Sequence, residues 1–233
     1  RAINIEVTKS LYCNLRIRSP NNAQAASITA KGKNALGTTF RLGHITTPQK
    51  RSNWGLQSLG SKLATVGFYA TEDYTTITVD LTKVKPLLMG ANAPSTNGPF
   101  TITLNKGETY TMALRNQDAP NRNAGAGFSG GLVTSDKPIA VSTASMGGYA
   151  SNTWQADYGA DQIVPLSKVG TKYAVVRGAS NDNALEKVLI VAHEDGTEVK
   201  VNGQVVCGNL AAGALCNING SKYQNGGMFI ETS

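Results

Sequence analysis

The sequence predicts an all-β fold of two related antiparallel β-sandwich-like units in tandem, residues 1–150 and 151–233, the second cut short. An internal repeat carries most of that expectation. Phe68-Tyr-Ala-Thr-Glu-Asp-Tyr-Thr-Thr-Ile-Thr-Val79 reads position for position against Ile190-Val-Ala-His-Glu-Asp-Gly-Thr-Glu-Val-Lys-Val201. Tyr12-Cys-Asn-Leu-Arg16 answers Tyr173-Ala-Val-Val-Arg177, Leu104-Asn-Lys-Gly107 answers Leu210-Ala-Ala-Gly213, and Gly130-Gly-Leu-Val-Thr134 answers Gly226-Gly-Met-Phe-Ile230, all in one order. A repeated unit buries its apolar face against a neighbour, which points to a scaffold before a catalyst. Composition agrees: of 233 residues 40% are hydrophobic and only 16% charged, which excludes a disordered chain. High Gly, Asn, Ser and Thr usage with β-branched apolar residues favours strands and turns over helices.

Along the chain, Ile3-Asn-Ile-Glu-Val7, Leu15-Arg-Ile-Arg18 and Thr38-Thr-Phe-Arg-Leu42 alternate apolar with polar side chains, as half-buried strands do. Leu63-Ala-Thr-Val-Gly-Phe-Tyr-Ala70 and Thr75-Thr-Ile-Thr-Val79 flank Glu72-Asp-Tyr and predict a hairpin. Phe100-Thr-Ile-Thr-Leu104 and Tyr110-Thr-Met-Ala-Leu114 predict a second hairpin around Asn105-Lys-Gly107. In the second copy, the turn dipeptides Asp195-Gly196 and Asn202-Gly203 predict a three-strand meander over 188–206. Pro138 lacks an amide donor and is expected at a strand start or edge. The first copy is the longer, and its surplus falls in polar, Gly/Pro/Asn-rich stretches at 31–62, 82–99 and 117–128, which read as loops. The abrupt start at Arg1 and the break in the second copy at Ser233 lead us to expect a longer parent chain.

The formal charge is +7 with a pI near 9.3. Its Lys and Arg are spread along the chain, and the densest stretch, Gln49-Lys-Arg-Ser-Asn-Trp54, is too short to read as a nucleic-acid surface. No nucleic-acid partner is expected. No apolar run approaches the ~20 residues that span a bilayer as a helix, so no direct membrane insertion is expected.

Cys207 and Cys216 flank a turn-like stretch, and a hairpin there would bring their sulfurs within bridging distance. Two free, buried thiols are the alternative. Cys13 is left unpaired on either reading. No Cys/His spacing matches a zinc site.

Taken together, Leu15-Arg-Ile-Arg18, Ala35-Leu-Gly-Thr-Thr-Phe-Arg41, Ala70-Thr-Glu-Asp73, Leu104-Asn-Lys-Gly-Glu-Thr-Tyr110, Val133-Thr-Ser-Asp-Lys-Pro-Ile139 and Asp157-Tyr-Gly-Ala-Asp-Gln-Ile163 form a distinctive string. In these phrases the chain resembles the IgGFc-binding-type N-terminal domain. That domain occurs in large secreted surface proteins of the Bacteroidota and in an animal mucin-associated protein. The resemblance implies an extracytoplasmic β module of a cell-surface protein exported by the type 9 route, some members being grouped with gliding-motility adhesins. It carries over no residue set for antibody contact.

Chemistry-bearing residues are sparse. The histidines are His44 and His193, and His193 is expected as a hydrogen-bonded strand residue. A histidine base needs a nucleophile and an orienting carboxylate, for which the sequence gives no sign. Glu194-Asp195 are neighbours on a strand and point to opposite faces, so they do not form a catalytic pair. Asp118, Asp157, Asp161 and Asp182 lack the dense acidic alternation of calcium loops. We expect no enzyme activity, metal or cofactor.

Trp54, Phe128, Tyr149, Trp154 and Tyr158 lie in polar, Gly-rich surroundings. Rings on loops stack on sugars or seat protein partners, and the alternative is that they plug the ends of a sandwich. The function expected is a non-catalytic extracellular adhesion or display module whose partner is a surface glycan or protein. A carbohydrate-binding module, or a structural cap docked to an envelope or secretion-system protein, are the competing readings.

Overall fold

A computed structural model describes residues 3–18, 25–43, 63–115, 127–148, 157–180, 182–183 and 186–233. Among these residues the chain forms strands and short 3-10 turns, with no α-helix. The first strands are β1 (Cys13–Arg18), β2 (Ala25–Ala30) and β3 (Leu36–Arg41). Next come β4 (Leu63–Ala70), β5 (Thr75–Asp80), β6 (Phe100–Leu104), β7 (Thr109–Arg115), β8 (Leu132–Gly148) and β9 (Asp157–Ile163). The last set is β10 (Lys172–Val176), β11 (Val188–Val191), β12 (Thr197–Val201), β13 (Gln204–Leu210), β14 (Leu215–Ile218) and β15 (Gly227–Thr232).

β8 organises the first set. Its first half pairs with β3 and β5, and its second half pairs with β4 and β9, every pairing antiparallel. β6 adds to β5 and β7 adds to β4. Two layers result, β6-β5-β8-β3 and β7-β4-β8-β9, and their inner faces share one core. That core contains Phe40, Val66, Phe68, Ile77, Val79, Phe128, Val133 and Val141, all at 0–1% exposure. Each such side chain stabilises by roughly 1.5–3 kcal/mol through burial. Strand alternation produces the core directly: in β5, Thr75, Ile77 and Val79 are buried while Thr76, Thr78 and Asp80 are half-exposed.

The two hairpins expected from the first copy do not form. β4 and β5 run one after the other along β8, and β6 and β7 run one after the other along β5 and β4. Residues 71–74 and 105–108 are therefore corners at which a strand passes between layers. Pro138 sits inside β8, not at a strand start. Between the Gly37–Ile139 and Thr39–Thr134 pairs, β3 contributes one residue and β8 four, so the bulge removes the need for an amide at Pro138.

Hydrogen bonds fix the corner. The Lys106 amide donates to the Asp73 carboxylate at 3.0 Å, the Gly107 amide to the Ala70 carbonyl at 2.9 Å, and the Tyr74 amide to Asn105 Oδ1 at 3.3 Å. From β8, the Lys137 ammonium donates to the Asp73 carbonyl, and Asp136 accepts the Thr76 amide at 2.8 Å. Thr71 Oγ1 in turn donates to the Pro138 carbonyl.

The second set repeats this plan. Strand order β10-β15-β12-β13 matches β3-β8-β5-β6, and β11-β14 matches β4-β7. The Ala212 amide donates to the Asp195 carboxylate at 2.8 Å and the Gly213 amide to the Ala192 carbonyl at 2.8 Å, as Lys106 and Gly107 do in the first corner. Thr75 and Thr197 hydroxyls donate to the Glu72 and Glu194 carbonyls at 2.7 and 2.8 Å. Gly107 and Gly213 share a φ of 84° and 82°, a left-handed turn that a glycine adopts without strain. Val199, Val201, Cys216, Ile218, Met228 and Ile230 form the second core.

Several expectations are corrected here. The meander over 188–206 reduces to one hairpin, β12–β13, closed by Asn202 and Gly203 at positive φ as a type I′ turn requires; β11 pairs with β14 instead. Val133 lies opposite Val79 and Ile230 opposite Val201, so β15 aligns one residue away from the sequence match to β8. β10 occupies the place of β3, not that of β1, which follows Tyr12. Among the described residues β1 pairs only with β2, and Leu15 and Ile17 are 47% and 37% exposed. Ile3-Asn-Ile-Glu-Val7 is not a strand; alternation alone does not make one where no sheet edge receives it. β9 pairs with β8, so the first set of strands runs on to Ile163.

Cys207 on β13 and Cys216 on β14 are joined by a disulfide, with Cα atoms 6.2 Å apart, and Cys13 is free. The bridge ties the two sheets of the second set beside their shared corner. It closes a loop with a sequence separation of 9, for which restriction of the unfolded chain gives about 2.5 kcal/mol. Replacing both cysteines by serine is expected to lower unfolding free energy by about that amount, measured by urea titration against the oxidised protein. Equal midpoints for the two proteins would contradict a structural role.

Candidate functional site

The described polar groups converge where the two sets of strands meet. Arg41 ends β3 beside Leu132 of β8 and reaches across to the second set. Its Nη1 donates to the Gly130 carbonyl at 3.1 Å, and Nη2 donates to the His193 carbonyl at 3.1 Å and lies 3.2 Å from His193 Nδ1. A guanidinium only donates, so Nδ1 accepts and the imidazole proton sits on Nε2. Burial lowers the Arg41 pKa, and the nearby Asp80 charge pulls it back up.

Asp80, the last residue of β5, accepts from the Thr82 hydroxyl at 2.6 Å and the Thr82 amide at 2.9 Å. Those bonds hold its carboxyl below the usual aspartate range, with help from Arg41 and Lys83 and against a smaller penalty from burial. Lys83 donates to the Ala212 carbonyl at 2.6 Å, at the corner of the second set. Beside them the backbones of Gly130 and Gly213 touch: a Cβ on Gly130 would lie 2.3 Å from the Gly213 carbonyl oxygen. A shallow depression of about 230 Å³ is lined by Arg41, Asp80, Lys83, Gly130 and Leu132.

Chemically the seam is a fastener. His193 is held by an arginine, and one oxygen of the Asp80 carboxylate accepts both the hydroxyl and the amide of Thr82. Among the described residues no three His, Cys, Asp or Glu side chains are grouped to hold a metal ion. Asp161 accepts from the Lys31 ammonium at 2.6 Å, and Gln162 Oε1 accepts the Lys31 amide at 2.6 Å, which fastens the end of β2 to β9.

Of the predicted aromatic set, Trp54, Tyr149 and Trp154 lie outside the described residues, as does His44. Phe128 is fully buried in the first core, where its ring is closed to any ligand. The Gly-rich surroundings suggested exposure, but Gly130 and Gly131 fold the chain back over the ring's neighbours Leu42 and Leu81. Tyr158 lies on β9 opposite Met146. His193 falls in the turn after β11, not within a strand, because Glu194 and Asp195 begin the corner there.

Sequence reasoning passed over Arg41, Asp80 and Tyr74. Tyr74 is 76% exposed and held at φ 54°, where the second set has Gly196. The signal was in the repeat itself, since a tyrosine answering the glycine of an Asp-Gly turn carries a conformational cost of roughly 1–2 kcal/mol. Three phrases of that string, Ala70-Thr-Glu-Asp73, Asn105-Lys-Gly-Glu108 and Ser135-Asp-Lys-Pro138, are the three walls of the first corner.

Fold and seam together define a strand-built scaffold module, with one corner design used in both sets of strands. The chain belongs to the IgGFc binding protein family, whose family model matches residues 25–233. No curated protein and no solved structure matches the chain.

Two outcomes test the seam. Gly130→Ala forces a backbone collision at the contact with Gly213 and is expected to destabilise by about 2–3 kcal/mol in urea unfolding. Asp80 has a folded pKa lowered from its ordinary 3.8, so its contribution is present above that value and is lost as pH falls through the lower folded value. Asp80→Asn should be less stable at neutral pH and show a shallower loss on acidification below about pH 4; parallel acid curves would refute the linkage.

Proposed function

We propose that this chain is a non-catalytic extracellular binding module of a large bacterial surface protein, displaying fixed side chains and inserted segments to a protein partner. Family membership over residues 25–233 carries this reading. The Cys207–Cys216 disulfide supports an oxidising, extracytoplasmic setting. No helix among the described residues is long and apolar enough to cross a membrane. The ionised groups of the seam are committed to holding the scaffold, which favours display over catalysis.

Export by a type 9 route in the Bacteroidota and a role in adhesion belong to the same proposal, supported by the resemblance of the recurring phrases. The partner is a protein presented at the cell surface, bound through Tyr74 together with Trp54, Tyr149, Trp154 and Tyr158. Tyr74 is favoured because a strained, exposed aromatic on a doubly fastened corner offers apolar area at little further entropy cost. Many copies on one cell would raise weak single contacts by avidity.

The test is binding of the chain to surface-protein extracts, to purified IgG Fc and to a glycan array. Tyr74→Gly is expected to keep or raise stability by up to about 1 kcal/mol while weakening protein capture at least tenfold, that is by about 1.4 kcal/mol. Glycan binding abolished by Trp154→Ala, without protein capture, would replace this reading by a carbohydrate-binding module.

A further inference from the structure

We propose that the outer face of the β6-β5-β8-β3 layer binds an acidic polysaccharide, with a sugar carboxylate held at the seam depression and sugar hydroxyls laid along a row of threonines. Thr101 of β6 lies opposite Thr78 of β5, Thr78 opposite Thr134 of β8, and Thr134 opposite Thr39 of β3. Residues directly opposite share a face, and neighbouring strands lie about 4.8 Å apart, so these side chains form one row about 14 Å long. Thr101 is exposed and the other three are half-buried. Among the described residues none of the four hydroxyls has a hydrogen-bond partner.

The next row on that face is the depression of about 230 Å³. Arg41, Leu132 and Asp80 lie two positions along their strands from Thr39, Thr134 and Thr78, and therefore on the same side. With Lys83 they place two cations beside one carboxylate. Lys83 spends one ammonium donor on the Ala212 carbonyl and has two more. Arg41 bonds to neutral acceptors on Gly130 and His193, so no bound anion cancels its charge. Asp80 Oδ1 takes both Thr82 bonds, which leaves Oδ2 to accept a hydroxyl. Excess positive charge next to a free acceptor and a row of free hydroxyls is the complement of a sugar acid.

The second set shows that the fold does not require this surface. In its corresponding row Lys172 lies opposite Glu231, Glu231 opposite Lys200, and Lys200 opposite Val205. Those charges are paired, Lys172 with Glu231 at 3.4 Å and Lys200 with Glu198 at 3.1 Å. The positions answering Arg41, Leu132 and Asp80 hold Ala174, Phe229 and Asn202, none of them charged. Strand propensity is served by valine as well as by threonine. Unbonded hydroxyls beside cations are thus particular to the first set. Protein partners dock on large apolar or aromatic anchors, and these two rows offer only the half-buried Leu132, which favours a glycan. The surface lies at the other end of β5 from Tyr74, so it acts independently of the protein capture proposed above.

The experiment titrates the whole 233-residue chain with oligosaccharides of galacturonate, mannuronate and hyaluronan, each beside its methyl ester, and with polyglutamate of matching charge. At least one acidic oligosaccharide should bind, with its ester and polyglutamate at least about tenfold weaker. Thr78→Val combined with Thr134→Val should weaken binding at least about tenfold with an unchanged urea midpoint, because those hydroxyls hold nothing within the protein. Lys83→Met should weaken it likewise, and Tyr74→Gly and Trp154→Ala should leave it unchanged. The proposal is overturned if none of the acids binds, or if the esters bind as tightly as the acids. Equal binding of polyglutamate would assign the effect to the net charge of +7 and overturn it too, as would full binding by the threonine variant.

Discussion

A carboxylate that accepts a backbone amide from a neighbouring corner is the interaction on which this architecture depends. Asp73 does this for Lys106, and Asp195 does it for Ala212. Without that bond, a strand leaving β4 would be free to fold back on itself, as hairpin sequences do. With it, the chain turns through a corner and continues along the same neighbour in the other layer. Each layer therefore inherits its register from the other, and one slip would turn every buried residue of β5 outward.

The seam extends the same economy to the junction of the two sets of strands. The Ala212 carbonyl takes the Lys83 ammonium while the Ala212 amide binds Asp195. Gly213, which shapes the second corner, is also the residue against which Gly130 packs. Corner and seam thus share residues, and Arg41 closes the arrangement by binding both the Gly130 and the His193 carbonyls. A half-buried guanidinium tolerates this because its charge is spread over carbonyl oxygens and faces the Asp80 carboxylate nearby. Arg41, Lys83 and His193 are in this way engaged in holding the two sets of strands together.

Much of the fold was legible in the sequence. The alternation in Thr75-Thr-Ile-Thr-Val79 gives a strand with one buried face, and the equivalence of Glu72-Asp73 with Glu194-Asp195 marks two turns of one design, which the sequence reads as hairpins and the fold makes into corners. Asn202-Gly203 specifies its own hairpin. The candidate site was less legible. Arg41 and His193 are separated by 152 positions and lie in unrelated local contexts, so nothing short-range marks them as partners. Phe128 showed the opposite failure: polar neighbours suggested exposure, and the fold buried it.

Sequence by itself determined that the chain is built of strands, most of their positions in the core, and that one plan is used twice, because alternation, turn chemistry and repetition act over a few neighbouring residues. Only the tertiary structure decided which strands pair across β8, which aromatic rings are buried, and how Arg41, Asp80 and Lys83 fasten the two sets together. Those outcomes depend on contacts between residues far apart in the chain, whose energies local composition does not encode.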